Sequence, residues 1–148
     1  MIDHRTAPYA ALVLRVSLGV MYIAHSLVLK HFMYTLPGTA QFFASIGLPA
    51  ALAYLTFWAE LVGGVALVAG IGTRIVALGL IPILLGATWV HAGNGWVFSA
   101  PGGGWEYPLY LIVLSAAQFL LGDGAYALSP SKPLTLPRRD PRHGASFA

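Results

Sequence analysis

Cysteine is absent from this sequence of 148 residues, and charged residues make up only 9% of it. Without cysteine, the chain cannot form a disulfide and cannot use a thiol as a nucleophile, a redox group or a metal ligand. The low charge accompanies 57% hydrophobic residues and a mean hydropathy of +0.74, a composition far from that of a soluble domain of this length. The composition therefore predicts a membrane protein.

The apolar residues fall into four stretches, and a helix needs roughly 20 such residues to cross a bilayer. The predicted spans are residues 9–29, 48–69, 75–92 and 107–121. They fill the chain to about residue 129, and a basic, proline-rich tail occupies residues 130–148. We therefore expect an all-α integral membrane four-helix bundle with short loops over residues 1–129, followed by a polar C-terminal tail.

Positive charge is predicted to lie mainly on one side of this bundle. The tail residues carry no aromatic residues between their charges, which argues against nucleic-acid binding despite the net charge of +3: Lys132, Arg138, Arg139 and Arg142. Arg5 and Arg74 fall on the same side, whereas the other side has Lys30 with Glu106. Because positively charged loops stay in the cytoplasm, we expect both termini there and the loops 33–47 and 92–105 facing outward.

Three ionisable residues interrupt or end separate apolar stretches: Arg15, Glu60 and His91. Such side chains are costly in lipid, so they are expected to face the interior of the bundle. The helical stripe through Arg15 contains further small or polar residues, namely Gly19, Tyr22, Ser26 and Lys30. Arg15 and Glu60 are expected at similar depths. This predicts an ion pair between them or a proton-exchanging role for Glu60, and the two interpretations are compatible.

Small residues surround Glu60 in the second stretch. Ala59 with Gly63, Glu60 with Gly64, and Ala66 with Gly70 are spaced four apart, a spacing typical of closely packed membrane helices. We therefore expect Glu60 to point into a contact between helices.

A second group of polar residues is predicted at the outward ends of the helices: His25, Lys30, His91, Asn94, Glu106 and Tyr107. A flat, lipid-soluble molecule such as a quinone requires an apolar slot with a few hydrogen-bonding groups at its end. We therefore predict these six residues to be ligand-binding, and Glu60 with Arg15 to be the catalytic pair. The tryptophans and tyrosines nearby are interpreted chiefly as an aromatic belt at the membrane interface. Haem or a metal is not expected, because the histidines occur without a recognised ligand motif.

The polar landmarks also occur in a characteristic order. They are Arg15-x3-Gly19, His25-x4-Lys30, Phe42-Phe43, Gly47-Leu48-Pro49, Glu60-x2-Gly63-Gly64-x5-Gly70, Thr73-Arg74, His91-x2-Asn94-Gly95-Trp96, Gly104-x-Glu106-Tyr107 and Gly122-x-Gly124 up to Ser129. Taken together, from about Leu14 to Ser129, this series resembles the DoxX family of small four-helix bacterial membrane proteins. Many relatives are expected to have an acidic residue where Ser129 stands.

The resemblance implies a multi-pass protein of the bacterial inner membrane that is linked to respiratory or oxidative redox chemistry. Names in the family mention quinol oxidase and thiosulfate:quinone oxidoreductase subunits, and some relatives are associated with quinone or catechol detoxification. We expect this chain to bind quinone or quinol, or to be the membrane subunit of a quinone-linked oxidoreductase whose partner protein carries the electron-transferring cofactor. The alternatives are a non-catalytic scaffold or assembly factor for a redox complex, and a small transporter. A homo-oligomer and catalysis by the chain itself are left open.

Overall fold

The computed structural model describes residues 3–134, and helices dominate this part of the chain. The elements, in order, are α1 (Ala7–Ile23), a π-helical segment that continues it (Ala24–Met33), α2 (Leu36–Ser45), α3 (Ala51–Ala69), α4 (Thr73–His91), a short 3-10 turn (Ala92–Asn94) and α5 (Glu106–Leu121). The expected all-α bundle is confirmed. Of the basic tail, Lys132 is described, whereas Arg138, Arg139 and Arg142 lie outside the described residues.

The main differences from the prediction lie between the first two spans, and α3 begins at Ala51 rather than at residue 48. The first helix does not end near residue 29, because the π-helical segment carries it to Met33. Pro37 and Gly38, which the sequence predicts as a turn, instead lie in the first turn of α2. Proline is tolerated there because the first N–H groups of a helix have no partner within the helix. Gln41-Phe42-Phe43 predict a short amphipathic piece in this connection. The structure has a complete helix there, additional to the four expected.

Three of the helices are long and apolar enough to cross a membrane by length and composition. They are Ala7–Met33, Ala51–Ala69 and Thr73–Asn94. The helix Glu106–Leu121 is apolar but has only 16 residues. At a rise of about 1.5 Å per residue it extends about 24 Å, against a hydrocarbon core of about 30 Å, so its crossing stays a prediction.

Helix α1 packs mainly against α3, and α4 packs mainly against α5. The first pair approaches closely at two glycines: a Cβ added at Gly19 would lie 2.6 Å from the carbonyl oxygen of Gly64, and one added at Gly64 would lie 2.8 Å from that of Gly19. Gly63 faces Leu80 of α4 in the same way, with a Cβ-to-Cδ1 distance of 3.0 Å. The predicted close approach at the small residues of α3 is thus confirmed, and it sets how far α1 slides along α3.

The bundle has two ends that differ in construction. At one end α1 and α4 begin and α3 and α5 end, and residues 122–131 run across all of them. We call this the clamp end and residues 122–131 the clamp segment. Its backbone N–H groups bond helix termini, with Ala125 donating to Pro8 at 2.9 Å and Leu128 donating to Ala69 at 3.1 Å. At the opposite loop end lie the end of the π-helical segment, α2, the start of α3 and the loop 95–105 before α5.

Candidate functional site

The polar stripe of α1 faces the interior, as predicted. Arg15 and Tyr22 are each 1% exposed and Ser26 is fully buried. Gly19 lies on the same face, against α3. The opposite face of α1 presents apolar side chains such as Val13 and Val20, which are more than half exposed. The helical spacing of these residues along the chain is therefore sufficient to separate the interior face of α1 from its outer face.

At the loop end of this stripe, Lys30 forms an ion pair with Glu60 of α3. The Lys30 Nζ to Glu60 Oε2 distance is 2.5 Å, and the two side chains are 17% and 7% exposed. Within residues 3–134 this is the only ion pair between side chains. Two opposite charges cost less in a low-dielectric region together than apart, which is a physical reason for these two side chains to contact each other in the interior.

The predicted ion pair between Arg15 and Glu60 is wrong. The Arg15 guanidinium instead donates to the carbonyl oxygens of Leu67 at 3.2 Å, Val68 at 3.4 Å and Ala125 at 3.1 Å. The contact between Gly19 and Gly64 places Arg15 beside the last turn of α3. Glu60 lies seven residues before Leu67, which is about 10 Å along the helix. The sequence placed both charges near mid-membrane but could not provide this offset between the helices.

Two side chains at the start of the π-helical segment bond carbonyls of the last turn of α1. The Ser26 hydroxyl donates to the carbonyls of Tyr22 at 3.1 Å and Ile23 at 3.0 Å. His25 Nδ1 lies 3.0 Å from the carbonyl oxygen of Met21. A carbonyl only accepts, so Nδ1 carries the proton and, in the neutral ring, Nε2 keeps its lone pair. π-Helical turns are rare and occur frequently at functional sites.

Tyr22 connects the ion pair to α5. Its hydroxyl lies 3.4 Å from the Ser115 hydroxyl, and both side chains are buried. Tyr22, Ser26 and Lys30 follow one another at four-residue spacing on the first helix, and the Ser26 hydroxyl donates to the Tyr22 carbonyl. The Tyr107 ring stacks on His25, with centroids 5.9 Å apart and planes inclined by 21°. The ion pair, Tyr22 and the stacked rings therefore form one neighbourhood, which we call the interior site.

Tyr22 and Ser115 were not predicted as site residues. Tyr22 was in the polar stripe of α1 but was not singled out, because a phenol is common on buried faces. Ser115 had a detectable signal: with Leu111 and Gln118 it follows the helical spacing of three and four residues, and all three are buried. What the sequence could not provide is which side chain on α1 the serine meets.

The remaining predicted ligand residues hold the loop 95–105. His91 Nδ1 lies 3.0 Å from the carbonyl oxygen of Gly102 and 3.1 Å from that of Gly103. Asn94 Nδ2 donates to the same two carbonyls, at 3.0 and 2.9 Å. Glu106 Oε1 accepts from the backbone N–H of Phe98 at 2.8 Å. The six predicted ligand residues therefore do not form one cluster: these three order the loop, and Tyr107 lies between them and the interior site.

The ordered loop forms one wall of a groove of about 430 Å³, and α5 forms the other. Its lining is mostly aromatic and aliphatic, with one carboxylate: Trp96, Phe98, Glu106, Tyr107, Leu109, Tyr110 and Val113. Tyr107 takes part in both the groove and the stack on His25. A flat apolar molecule in this groove would therefore lie next to the interior site.

Comparison with known proteins identifies the family. The DoxX family model matches residues 10–93, a range that includes Arg15, Lys30, Glu60 and His91. The chain belongs to the DoxX family. This DoxX protein is 37% identical over 120 residues to a protein of Bacillus subtilis (strain 168) named "Putative oxidoreductase CatD", and the alignment covers 80% of this chain and 84% of the relative. No solved structure matches the chain. With its long apolar helices, family membership makes this DoxX chain a membrane protein.

Proposed function

We propose that this DoxX protein binds a quinone or quinol at its loop end and exchanges protons with it through Lys30 and Glu60. The observation that carries the proposal is the ion pair between these two residues, which is shielded inside the bundle beside Tyr22. Transfer of a proton from the ammonium to the carboxylate neutralises both groups, so a proton can move between them without leaving a lone charge in the membrane. That capacity is what a quinone-linked site requires.

The residues of the interior site suit this ligand chemically. A quinone, when bound, takes up two electrons and two protons and becomes a quinol. Lys30 has N–H groups to donate to a quinone oxygen, and Glu60 has a carboxylate to accept from a quinol hydroxyl. His25 Nε2 is a further acceptor, and the Tyr107 ring offers a flat surface for stacking. We propose binding and proton exchange as the role of these side chains.

The electrons are proposed to come from a partner redox protein that carries its own cofactor. The chain lacks cysteine, so thiols within it cannot supply them. We infer that the chain is the membrane subunit of a quinone-linked oxidoreductase. The name of the Bacillus subtilis relative calls that protein an oxidoreductase, which supports the same class of chemistry here.

We further propose that the clamp end faces the cytoplasm of a bacterial cell and that the protein lies in its inner membrane. Arg5, Arg74 and Lys132 are near the clamp end, and the sequence adds Arg138, Arg139 and Arg142 after it. At the loop end, Lys30 is neutralised by Glu60. Positive charge retained in the cytoplasm would orient the bundle with both termini inside.

Substituting the ion pair tests the proposed function. We expect Glu60→Gln and the double variant Lys30→Gln/Glu60→Gln to lose at least about tenfold in affinity for menadione, followed by quenching of tryptophan fluorescence in purified protein. Arg5→Gln, which removes an exposed charge away from the site, is the matched control and should bind like the unmodified protein. Circular dichroism shows whether each variant is folded. Unchanged menadione binding by folded pair variants would exclude the proposal.

A non-catalytic scaffold is the second candidate, and one observation favours it. Most charged and polar side chains outside the ion pair bond backbone groups at helix ends or in loops, as Arg15, His91 and Glu106 do. Such contacts stabilise a bundle without contacting a ligand. If the pair variants keep quinone-linked activity in cells and still copurify with a redox partner, the scaffold function is the better description.

A further inference from the structure

Several buried polar atoms at the clamp end have no hydrogen-bond partner within residues 3–134. They are Arg15 Nε, Thr73 Oγ1, Arg74 Nε and Gln118 Oε1. Arg74 is only partly buried, whereas the other three residues are almost fully buried. Buried polar groups in native proteins nearly always have a partner, because an unmade hydrogen bond destabilises the fold. Their concentration at one end of the bundle indicates a bound molecule that bonds them.

Gln118, in the last turn of α5, is the clearest of these cases. Its side chain is fully buried, and Nε2 donates to the carbonyl oxygen of Gly122 at 2.6 Å. A carbonyl only accepts, so the amide nitrogen occupies this position and the amide oxygen is left for another donor. A buried amide oxygen can accept two hydrogen bonds, and this one has no donor among the described residues.

Arg15 lies at the same level of the bundle as the carbonyl that Gln118 bonds. Helices α1 and α5 run in opposite directions, and the Tyr22 hydroxyl on α1 meets the Ser115 hydroxyl on α5. Arg15 is seven residues before Tyr22, and Gly122 is seven residues after Ser115. Each is therefore about 10 Å nearer the clamp end than the contact between the two hydroxyls.

Thr73 reaches the same region from the start of α4. Its backbone N–H donates to Asp123 Oδ1 at 3.3 Å, and Asp123 follows Gly122 directly. Arg15 Nη2 donates to the carbonyl oxygen of Ala125, two residues further on, at 3.1 Å. Three helices therefore each bring one buried, unpartnered polar group to the part of the clamp segment around residues 122–125.

We propose that the clamp end binds internal water between α1, α4 and α5, hydrogen-bonded to Gln118 Oε1, Thr73 Oγ1 and Arg15 Nε. The amide oxygen only accepts, the guanidinium Nε only donates and the hydroxyl does either, and water can serve all three because it both donates and accepts. Buried waters have two to four such partners. A metal cation fits less well, because the Arg15 guanidinium already carries a positive charge there. This inference is independent of the proposed quinone site.

Glutamine occurs only twice in the sequence, which allows a direct test. Gln118 is fully buried and Gln41, in α2, is exposed. Protein with isotope-labelled glutamine therefore reports one side-chain amide at the proposed site and one matched control. The measurement is nuclear magnetic resonance of the full chain in detergent micelles, which detects magnetisation transfer between water and the amide protons. Water held in an interior site gives a nuclear Overhauser effect of opposite sign to that of freely moving surface water.

We expect a water cross-peak at Gln118 with the sign of long-lived water, and the sign of surface water at Gln41. Thr73→Val removes one proposed water ligand and should lose most of the Gln118 cross-peak. Thr88→Val is the matched control, since that hydroxyl donates to a carbonyl of its own helix at 2.8 Å, and it should keep the cross-peak. Ser115→Ala should also keep it, which excludes relay through the serine hydroxyl.

Three results would overturn the inference. The first is the lack of a Gln118 cross-peak with the sign of long-lived water in the folded, unmodified protein. The second is a cross-peak that Thr73→Val leaves unchanged or that Ser115→Ala abolishes. The third is a cross-peak that disappears when sodium chloride is replaced by choline chloride, since the site would then hold a cation. Menadione binding, measured separately, decides the proposed function.

Discussion

The two ends of the bundle use their charged side chains in different ways. At the clamp end, Arg15 bonds carbonyls at the end of α3, and Arg74 bonds the carbonyls of Phe119 and Leu120 at the end of α5. Asp123 accepts from the backbone N–H of Thr73 at the start of α4. These charges satisfy backbone groups that helix ends leave without partners, and their signs match the helix dipoles.

At the loop end, Glu106 also bonds a backbone N–H, but one pair of charged side chains there contact each other. Lys30 and Glu60 bond each other, beside a phenol and a stacked histidine. A guanidinium bonded to backbone carbonyls has no partner that can take its proton, whereas an ammonium bonded to a carboxylate does. Burial alone therefore does not distinguish Arg15 from Glu60, since both are buried; the partner of each charge does. In the proposed function, the clamp-end charges stabilise the bundle, and the pair of Lys30 and Glu60 contacts the ligand.

The largest expected effect on stability comes from removing Arg15. Arg15→Ala would leave the carbonyls of Leu67, Val68 and Ala125 without this donor inside the bundle. We expect a loss of about 3 kcal/mol or more in the free energy of unfolding, since each abandoned buried acceptor costs about 1 kcal/mol or more. The measurement is thermal unfolding in detergent, with exposed Arg5→Ala as the matched control. Equal stability of the two variants would show that Arg15 does not close the clamp end.

The next largest loss of stability is expected from substituting Gly70, which faces Arg15. Gly70 has φ +72°, and a Cβ there would collide with Arg15 Nη1. Gly72 also has a positive φ, +56°, but no atom lies within 4 Å of an added Cβ. Both alanine variants therefore carry about 1 kcal/mol of backbone strain, and Gly70→Ala should lose about a further 2 kcal/mol through the displaced arginine. Thermal unfolding of the two variants measures the difference, and a smaller loss for Gly70→Ala than for Gly72→Ala would contradict it.

Substituting Asp123 is expected to cost less stability, by an amount that depends on pH. Burial raises the pKa of this carboxyl, and hydrogen bonds from Ser131 and Thr73 together lower it by more than burial raises it. The resulting pKa is below the ordinary value of 3.8. The stabilisation is therefore complete above the unfolded-state pKa and is lost as pH falls through the lower folded-state pKa.

We expect Asp123→Asn to cost about 1–2 kcal/mol at neutral pH, because the amide cannot accept on both sides. At pH 7 the variant should have a lower unfolding midpoint than the unmodified protein. At pH 3 the two midpoints should lie closer together. A gap that stays constant, or widens in acid, would show that the charge of Asp123 does not stabilise the clamp.

The smallest stability effect is expected at the ion pair. The double variant Lys30→Met/Glu60→Met replaces two charges by apolar side chains, and such replacements of buried pairs are often neutral or stabilising. We expect a change within about 1 kcal/mol, together with the loss of menadione binding. Thermal unfolding and menadione binding, measured on the same preparation, test these two expectations. A loss as large as that of Arg15→Ala would place Lys30 and Glu60 with the clamp residues and remove the contrast between the ends.

Much of the fold could be predicted because its signals are local. The apolar stretches, the stripe from Arg15 to Lys30 and the small residues of α3 each depend on helical period and on the cost of polar groups in lipid. The site was predictable only in part. His25 and Tyr107 were predicted together with Lys30, but His91, Asn94 and Glu106 bond the loop instead, and Tyr22 was not assigned.

By itself, the sequence determined the class of protein, the faces of α1 and α3 that turn inward and the order of landmarks that identifies the family, because these follow from composition and from neighbours along one helix. Only the tertiary structure decided that Glu60 pairs with Lys30, that Arg15 closes the end of α3 and that Tyr22 meets Ser115. These contacts join residues far apart in the chain, 52 positions for Arg15 with Leu67 and 110 for Arg15 with Ala125. Their formation depends on how far one helix slides along another, and that offset is fixed by the contact between Gly19 and Gly64.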